Sequence, residues 1–188
     1  CLYGSGLRIR RLLAATCPDL RLLRAAIARG ADVNRAVGDL TPLLAATRDS
    51  YQGRPEAVMT LLANGADPRL GDSQGNTPLH YAALAREPSV AAILLDAAAP
   101  IDVLNKESSS PLALACAAGN LPLAKFLLER GAAAHPEAGT SALIAAAGGA
   151  DDRADLLKLL LKHRAQPALR DRLGRTALHA AALHGHGE

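Results

Sequence analysis

The chain has 188 residues, of which 49% are hydrophobic and 21% are charged, and its formal net charge is +3. Only three Tyr and one Phe are aromatic and Trp is absent, so a core has to be built from Leu and Ala. No run of 18 uncharged apolar residues occurs, which predicts no membrane-spanning helix. The three cysteines are too few, and odd in number, for a disulfide framework.

The first predicted unit, residues 7–34, contains two short apolar runs, Leu12–Ala15 and Leu22–Ile27, and then a turn that begins at Gly30. Two such runs indicate a pair of helices. The unit is also basic, because residues 1–35 hold seven Arg and two Asp. An acidic partner or a nucleic acid could bind a basic surface, but the arginines are not interleaved with aromatic residues that could stack on bases. We interpret them as a solvated outer face.

One phrase then recurs five times along the chain: a hydroxyl residue, Pro or Ala, and Leu, followed by small residues. The copies begin at Thr41, Thr77, Ser110, Ser141 and Thr176, so successive copies lie 36, 33, 31 and 35 residues apart. A hydroxyl can accept a hydrogen bond from an unpaired amide of the first helical turn, and proline suits the first position of a helix. Each copy therefore predicts a helix with a buried leucine: Leu43, Leu79, Leu112, Leu143 and Leu178.

A second apolar run follows each of the first four copies about fifteen residues later, as at Val58–Leu62 and Leu123–Leu128. These runs fit the other helix of a pair. Two of them end at a glycine that stops a helix, Gly65 and Gly131. A period in the low thirties with a helix pair in each copy indicates a stacked repeat array.

Helix, turn, helix, Gly-Ala-Asp, loop and Thr-Pro-Leu-His, in this order, resemble the ankyrin repeat. The resemblance runs from about Leu7 to the end of the chain. It implies an all-α ankyrin-repeat solenoid of helix–turn–helix units with hairpin-like finger loops. We expect a single domain, 1–188, divided into an opening repeat, four full repeats and an incomplete last repeat: 7–34, 35–67, 68–103, 104–134, 135–167 and 168–188. Because the last repeat lacks a second helix and the chain begins without Met, we expect a fragment of a longer protein.

No pattern of residues indicates an active site. The six histidines include no His-Glu-x-x-His, and no Cys-x-x-Cys, phosphate-binding Gly-rich loop or Gly-x-Ser-x-Gly occurs. His179, His184 and His186 could form a metal cluster on paper, but the resemblance makes them structural residues of the repeat. The acidic residues at 151–155 lie where they would cap a helix N-terminus. We predict no catalysis, no cofactor and no metal.

The resemblance implies that a partner binds at the finger tips and just after the alanine pair of each first helix. The fingers at 71–76 and 170–175 match the family pattern. Their tips carry Ser73, Gln74, Asn76, Arg172, Leu173 and Arg175. The positions after the alanine pairs are Leu84, Arg86, Leu183 and His184. An insertion between the two helices of repeat 35–67 contains Arg48, Tyr51 and Arg54. We add these three residues to the expected contacts, because Tyr and Arg are favoured at interfaces. The alternative is that each is an ordinary surface residue.

Several loops depart from the family pattern. The fingers at 35–40, 104–109 and 135–140 are predicted to be shortened. Residues 96–100 are predicted to be a lengthened segment, because the usual glycine is missing there. Such irregular copies are where we expect a specific partner to bind.

We predict a protein–protein interaction module, a scaffold or adaptor, without catalysis of its own. The alternative is a regulatory or targeting region of a larger enzyme or of a secreted effector. A third possibility is nucleic-acid binding through the basic first unit, which we disfavour. The expected partner is another protein, and the expected state is a monomer in the cytoplasm or nucleus, with a secreted effector still open.

Overall fold

The structure is a computed structural model that describes residues 20–48, 55–137, 139–149 and 153–183. The chain divides into two compact units that meet in sequence between Pro100 and Ile101. The regular elements described in both units are helices, and the only bridge between extended residues among the described residues joins Val37 and Leu40. The expected all-α fold class is confirmed.

The first unit contains five described helices, in which the first and second helices of the hairpins form separate layers. They are α1 (Leu20–Ala28), α2 (Pro42–Arg48), α3 (Pro55–Ala63), α4 (Pro78–Ala82) and α5 (Ser89–Asp96). Helix α2 packs on α4, whereas α3 packs on both α1 and α5. The pairs α2–α3 and α4–α5 are the hairpins that the repeated phrase predicts. The layers meet on buried Leu44, Val58, Leu61 and Leu94, and this apolar burial is what holds the short helices in place.

The second unit repeats the same arrangement. Its described helices are α6 (Pro111–Ala117), α7 (Leu121–Glu129), α8 (Ala142–Ala147), α9 (Ala154–Lys162) and α10 (Ala177–Leu183). Helix α8 packs between α6 and α10, and α7 packs on α9. Fully buried leucines, Leu112, Leu123, Leu127 and Leu160, fill the space between the layers.

The repeated phrase works largely as its chemistry predicts. Thr41 Oγ1 accepts from the Leu44 N–H at 3.2 Å, and Ser110 Oγ accepts from the Ala113 N–H at 3.2 Å. In the copy at Thr77, His80 Nδ1 accepts from the Thr77 N–H at 3.1 Å and lies 2.9 Å from the Thr77 hydroxyl, so both residues cap the helix. Ser141 is the exception: its hydroxyl is buried and has no hydrogen-bond partner in the described part of the chain.

The prediction that all five leucines of the phrase are buried is wrong for Leu178. Leu43, Leu79, Leu112 and Leu143 are buried, whereas Leu178 is 78% exposed. In the second unit each described first helix is covered by the next one, α6 by α8 and α8 by α10. No described helix follows α10, so nothing in the described chain covers Leu178.

The prediction of a shortened 104–109 finger is also wrong. In the 71–76 finger the Asp72 N–H donates to Asn76 O at 3.0 Å, and the Gly75 N–H donates to Asp72 O at 2.9 Å. The 104–109 finger contains the same turn, because the Asn105 N–H donates to Ser109 O at 3.1 Å and the Ser108 N–H donates to Asn105 O at 2.9 Å. Ser108 adopts the left-handed conformation (φ 59°) that the family pattern gives to glycine. The finger is full length with an altered sequence.

Residues 96–100 are not lengthened either. Ala98 adopts φ 60° and its N–H donates to Leu95 O at 3.0 Å, as the Gly65 N–H donates to Leu62 O at 3.0 Å. The alanine therefore occupies the position of the missing glycine at the end of a helix, despite the cost of the left-handed conformation. The insertion expected after Arg48 lies mostly outside the described residues.

Candidate functional site

The 71–76 finger of the first unit is held rigidly by the carboxylate of Asp72. One oxygen, Asp72 Oδ1, accepts from the Gln74 N–H at 2.9 Å and from the Asn76 N–H at 2.8 Å. The other oxygen accepts from the Tyr81 hydroxyl of α4. The side chains of Ser73 and Gln74 are thereby presented to solvent on an ordered turn, and Asn76 is half-buried.

The titration of this pair reflects the same contacts. Burial alone would raise the pKa of the Asp72 carboxyl, but the hydrogen bonds from the Tyr81 hydroxyl and the finger amides outweigh it, and the pKa is lowered. Burial, and then the hydrogen bond to Asp72, raise the pKa of Tyr81. A carboxylate that accepts several hydrogen bonds favours its charged form. The sequence analysis did not single out Tyr81, although a tyrosine placed nine residues after the finger aspartate is the signal for it.

The other predicted binding residues described in the first unit are Ser73 of the same finger and the exposed residues Arg48, Leu84 and Arg86. The Ser73 hydroxyl donates to Asp39 Oδ2 of the 35–40 finger at 2.8 Å, which links two successive fingers. Arg48 is exposed at the end of α2, and its charge acts on the Tyr81 phenol. Leu84 is 51% exposed just after α4, and Arg86 is also exposed. Tyr51, Arg54 and His184 lie outside the described residues.

The 170–175 finger of the second unit is built on the same plan around Asp171. Asp171 Oδ1 accepts from the N–H groups of Leu173 at 2.9 Å and of Arg175 at 2.8 Å. Arg175 Nε donates to Asp171 Oδ2 at 2.8 Å. The Arg175 amide is the largest cause that holds the pKa of Asp171 below its usual value, and the Arg175 guanidinium acts in the same direction. Arg175 thus serves its own finger, whereas Arg172 and Leu173 project from it.

The 135–140 finger, which precedes the 170–175 finger in the second unit, is short, as predicted. Ten positions separate Gly131 from Ser141, against twelve between Gly65 and Thr77. The short finger lies close to its predecessor, because the Thr140 N–H donates to Ser108 O at 2.8 Å. A Cβ on Gly139 would lie 2.6 Å from Pro136 Cγ and 2.8 Å from a methyl carbon of Leu104, so a side chain at this position would force these neighbours to shift.

A cleft of about 370 Å³ opens where the short finger leaves space. Its floor and walls come from the end of the 135–140 finger, from α8, from the 170–175 finger and from α10. The lining residues are Thr140, Ile144, Ala145, Gly148, Asp171, Arg172, Leu173, Arg175, Ala180 and Leu183. Arg172 Nη2 donates to the Ser108 hydroxyl, so its side chain reaches the 104–109 finger. The sequence analysis selected Arg172, Leu173 and Arg175 but missed the α8 side of the cleft.

Reactive groups are not gathered in the described part of the chain. No group of three His, Cys, Asp or Glu residues is placed to hold a metal ion among the residues described. Cys116 is fully buried, and burial raises its pKa to about 12, with the charge of Arg153 opposing the rise. A thiol with so high a pKa is not a nucleophile at neutral pH. The described helices include none long and apolar enough to cross a membrane.

Comparison with known protein families gives a match over most of the chain. A family model described as ankyrin repeats (3 copies) matches residues 12–106 and 112–188. Both matched segments contain the helix pairs and fingers described above, so the expected resemblance is confirmed.

The curated relatives that resemble this chain differ in length. The E3 ubiquitin-protein ligase KEG of Arabidopsis thaliana is 30% identical over 94% of this chain, which spans 12% of the ligase. The B-cell lymphoma 3 protein homolog of Mus musculus is 34% identical over 70% of this chain, which spans 30% of that protein. The ankyrin repeat protein YahD of Escherichia coli (strain K12) is 28% identical over 94% of this chain and is matched over 90% of its own length.

Proposed function

This chain belongs to the ankyrin repeat family, whose repeats are protein-interaction modules, and we propose that it binds a partner protein through its fingers and first helices, without catalysis of its own. The observation that carries the proposal is the construction of the fingers. Asp72 and Asp171 each hold their finger backbone with two amide hydrogen bonds. The tip side chains therefore stay ordered and exposed before a partner arrives, which lowers the entropic cost of binding.

The contact residues of the first unit in this proposal are Arg48, Gln74, Leu84 and Arg86. All four are exposed in the structure. Arginine and large apolar side chains contribute strongly at interfaces when a partner desolvates them. Ser73 and Asn76 contribute less in our proposal, because Ser73 already bonds to Asp39 and Asn76 is half-buried. Tyr51, Arg54 and His184 remain proposed contacts on the sequence argument alone.

A comparative pull-down from native lysate tests this proposal. The bait is compared with a triple variant, Arg48→Ala, Gln74→Ala and Arg86→Ala, after circular dichroism has shown equal helix content. A matched control replaces three exposed residues of the second helices: Arg24→Ala, Glu56→Ala and Lys158→Ala. We expect at least one partner protein to be retained by the wild type and by the control but not by the triple variant of Arg48, Gln74 and Arg86. Equal recovery on all three baits would place the interface elsewhere.

A second candidate function is a regulatory or targeting region of a larger enzyme or of a secreted effector. The match to the KEG ligase favours it, since this chain spans 12% of that enzyme. The complete reading frame is the test. A catalytic domain encoded in the same frame would support this candidate, and a frame that encodes repeats alone would dismiss it.

We also propose a monomer that works in the cytoplasm or nucleus and carries one repeat array with the boundaries given above. Cys116 is a free, buried thiol, and reduced thiols are usual in these compartments. Size-exclusion chromatography with light scattering tests the monomer, and immunofluorescence tests the compartment.

A further inference from the structure

The cleft of the second unit is lined by apolar and by charged side chains, and the general binding proposal does not draw on this combination. Its floor is apolar, formed by Ile144 and Ala145 of α8 and by Ala180 of α10. Two leucines at its mouth are strongly exposed: Leu173 is 75% exposed and Leu183 is 67% exposed. A bulky apolar side chain entering the cleft would therefore cover apolar surface that now faces water.

The rim of the cleft carries one positive charge in excess. Asp171 and Arg175 neutralise each other through their 2.8 Å ion pair. Arg172 bonds to the uncharged Ser108 hydroxyl, and no carboxylate among the residues described is paired with it. A guanidinium has five N–H donors, so the bond to Ser108 leaves donors for a carboxylate of a ligand.

We propose that this cleft binds a peptide segment of a partner in which a bulky apolar residue is flanked by acidic residues. The apolar side chain enters between α8 and α10, and a neighbouring carboxylate pairs with Arg172. This inference rests on the proposed function and specifies the chemistry of one contact. The cleft has no aromatic lining residue, and stacking on aromatic rings is the main means of holding single-stranded nucleic acid, so a peptide is the better occupant.

Fluorescence anisotropy with defined peptides tests the chemistry. The probes are fluorescein-labelled nonapeptides with a central Leu or Phe flanked by Glu, compared with a Ser-centred, Glu-flanked peptide and a Leu-centred, Lys-flanked peptide. We expect the Glu-flanked Leu or Phe probes to bind the full chain at least about tenfold more tightly than either comparison, because the Ser-centred peptide loses the apolar burial and the Lys-flanked peptide loses the charge pair. Equal affinity for the Ser-centred peptide would overturn the proposal.

Two variants of the chain locate the binding. Arg172→Glu reverses the rim charge, and Ala145→Leu fills the floor of the cleft. Each is expected to weaken the best probe by about tenfold or more. The matched controls, Arg69→Glu and Ala63→Leu, make the same changes at exposed positions of the first unit and are expected to change affinity less than twofold. If Ala145→Leu lowers helix content, Arg172→Glu and Leu173→Asp decide the question.

The outcomes separate this proposal from the general one. Probe binding that neither Arg172→Glu nor Leu173→Asp weakens, or that single-stranded RNA displaces, would refute the peptide cleft. Even then the proposed function would stand if the Arg172→Glu protein retained a partner and the triple variant of Arg48, Gln74 and Arg86 lost it. Loss of the partner from the Arg172→Glu bait as well as weaker probe binding would support both.

Discussion

The Arg153 side chain joins two repeats of the second unit by hydrogen bonds to backbone carbonyls, and its replacement should destabilise the protein measurably. Arg153 Nη1 donates to the carbonyl oxygens of Cys116 and Ala117, both at 2.7 Å. These carbonyls end helix α6, whereas Arg153 directly precedes α9. The guanidinium therefore satisfies C-terminal carbonyls and places a positive charge at the negative end of the helix dipole.

The expected loss in Arg153→Met is about 2 kcal/mol. A hydrogen bond to a charged group contributes roughly 1.5–3 kcal/mol. The low end of this range applies to each of the two bonds, because neither carbonyl would be left unpaired. Cys116 O would still accept from the Gly119 N–H at 3.1 Å, and Ala117 is exposed, so water can bond to its carbonyl. Arg153 Nε is buried without a described partner, and removing it returns about 1 kcal/mol of desolvation cost.

Urea unfolding followed by circular dichroism at 222 nm measures the effect. With an m-value of roughly 2 kcal/mol/M, the midpoint should fall by about 1 M. Lys158→Met is the control, because the ion pair between Lys158 and Asp155 is largely exposed and contributes less than about 0.5 kcal/mol. A shift in Arg153→Met no larger than in the control would refute the role of the two carbonyl bonds.

A second substitution checks the mechanism independently. A Cβ built on Gly149 would overlap with the guanidinium group of Arg153. Gly149→Ala should therefore displace Arg153 and destabilise the wild type, yet cost little more in the Arg153→Met background. Strictly additive effects would mean that the two residues act separately.

Three further outcomes are expected. Ala98→Gly should stabilise the chain by about 0.5–1 kcal/mol in thermal unfolding, because glycine relieves the φ of 60°, whereas Ala97→Gly should not; a loss in Ala98→Gly would contradict the assignment. In a variant in which Cys1 and Cys17 are replaced by Ser, Cys116 should react with a disulfide reagent at pH 8 more than about 100-fold more slowly in the folded protein than in urea, since its pKa in the folded protein is about 12. Similar rates would show that the thiol is accessible. The pKa of Asp72 is lowered in the folded state, so the carboxylate stabilises the fold at pH values above its unfolded-state pKa, and this stabilisation is lost as the pH falls through the folded-state pKa. Between pH 5 and pH 3 the melting temperature of Asp72→Asn should therefore fall less than that of the wild type, and parallel curves would argue against this role of Asp72.

The helices and their capping could be predicted because their causes are local. Thr77 and His80 lie three residues apart, and their hydrogen bonds depend only on the first helical turn. The period of the phrase then predicted the stacking of successive helices. By contrast, the finger at 104–109 was misjudged as short, because Asn105 and Ser108 replace the usual Asp and Gly while preserving the turn. Residue identity was a poorer guide there than the number of residues between helices.

The candidate cleft depends on distances along and between repeats that no single segment specifies. A count of residues from Gly131 to Ser141 predicts a short finger, but the contact between Arg172 and Ser108 joins residues 64 positions apart. That contact exists only because stacking brings together the fingers of the two repeats on either side of the repeat with the short finger. The exposure of Leu178 is likewise decided by which helix packs next to α10. The repeat and its helix pairs followed from the amino-acid sequence, since helix caps and apolar periodicity rest on interactions within a few residues. Tertiary structure alone decided the cleft and the exposed leucines, because burial depends on neighbours that stacking supplies.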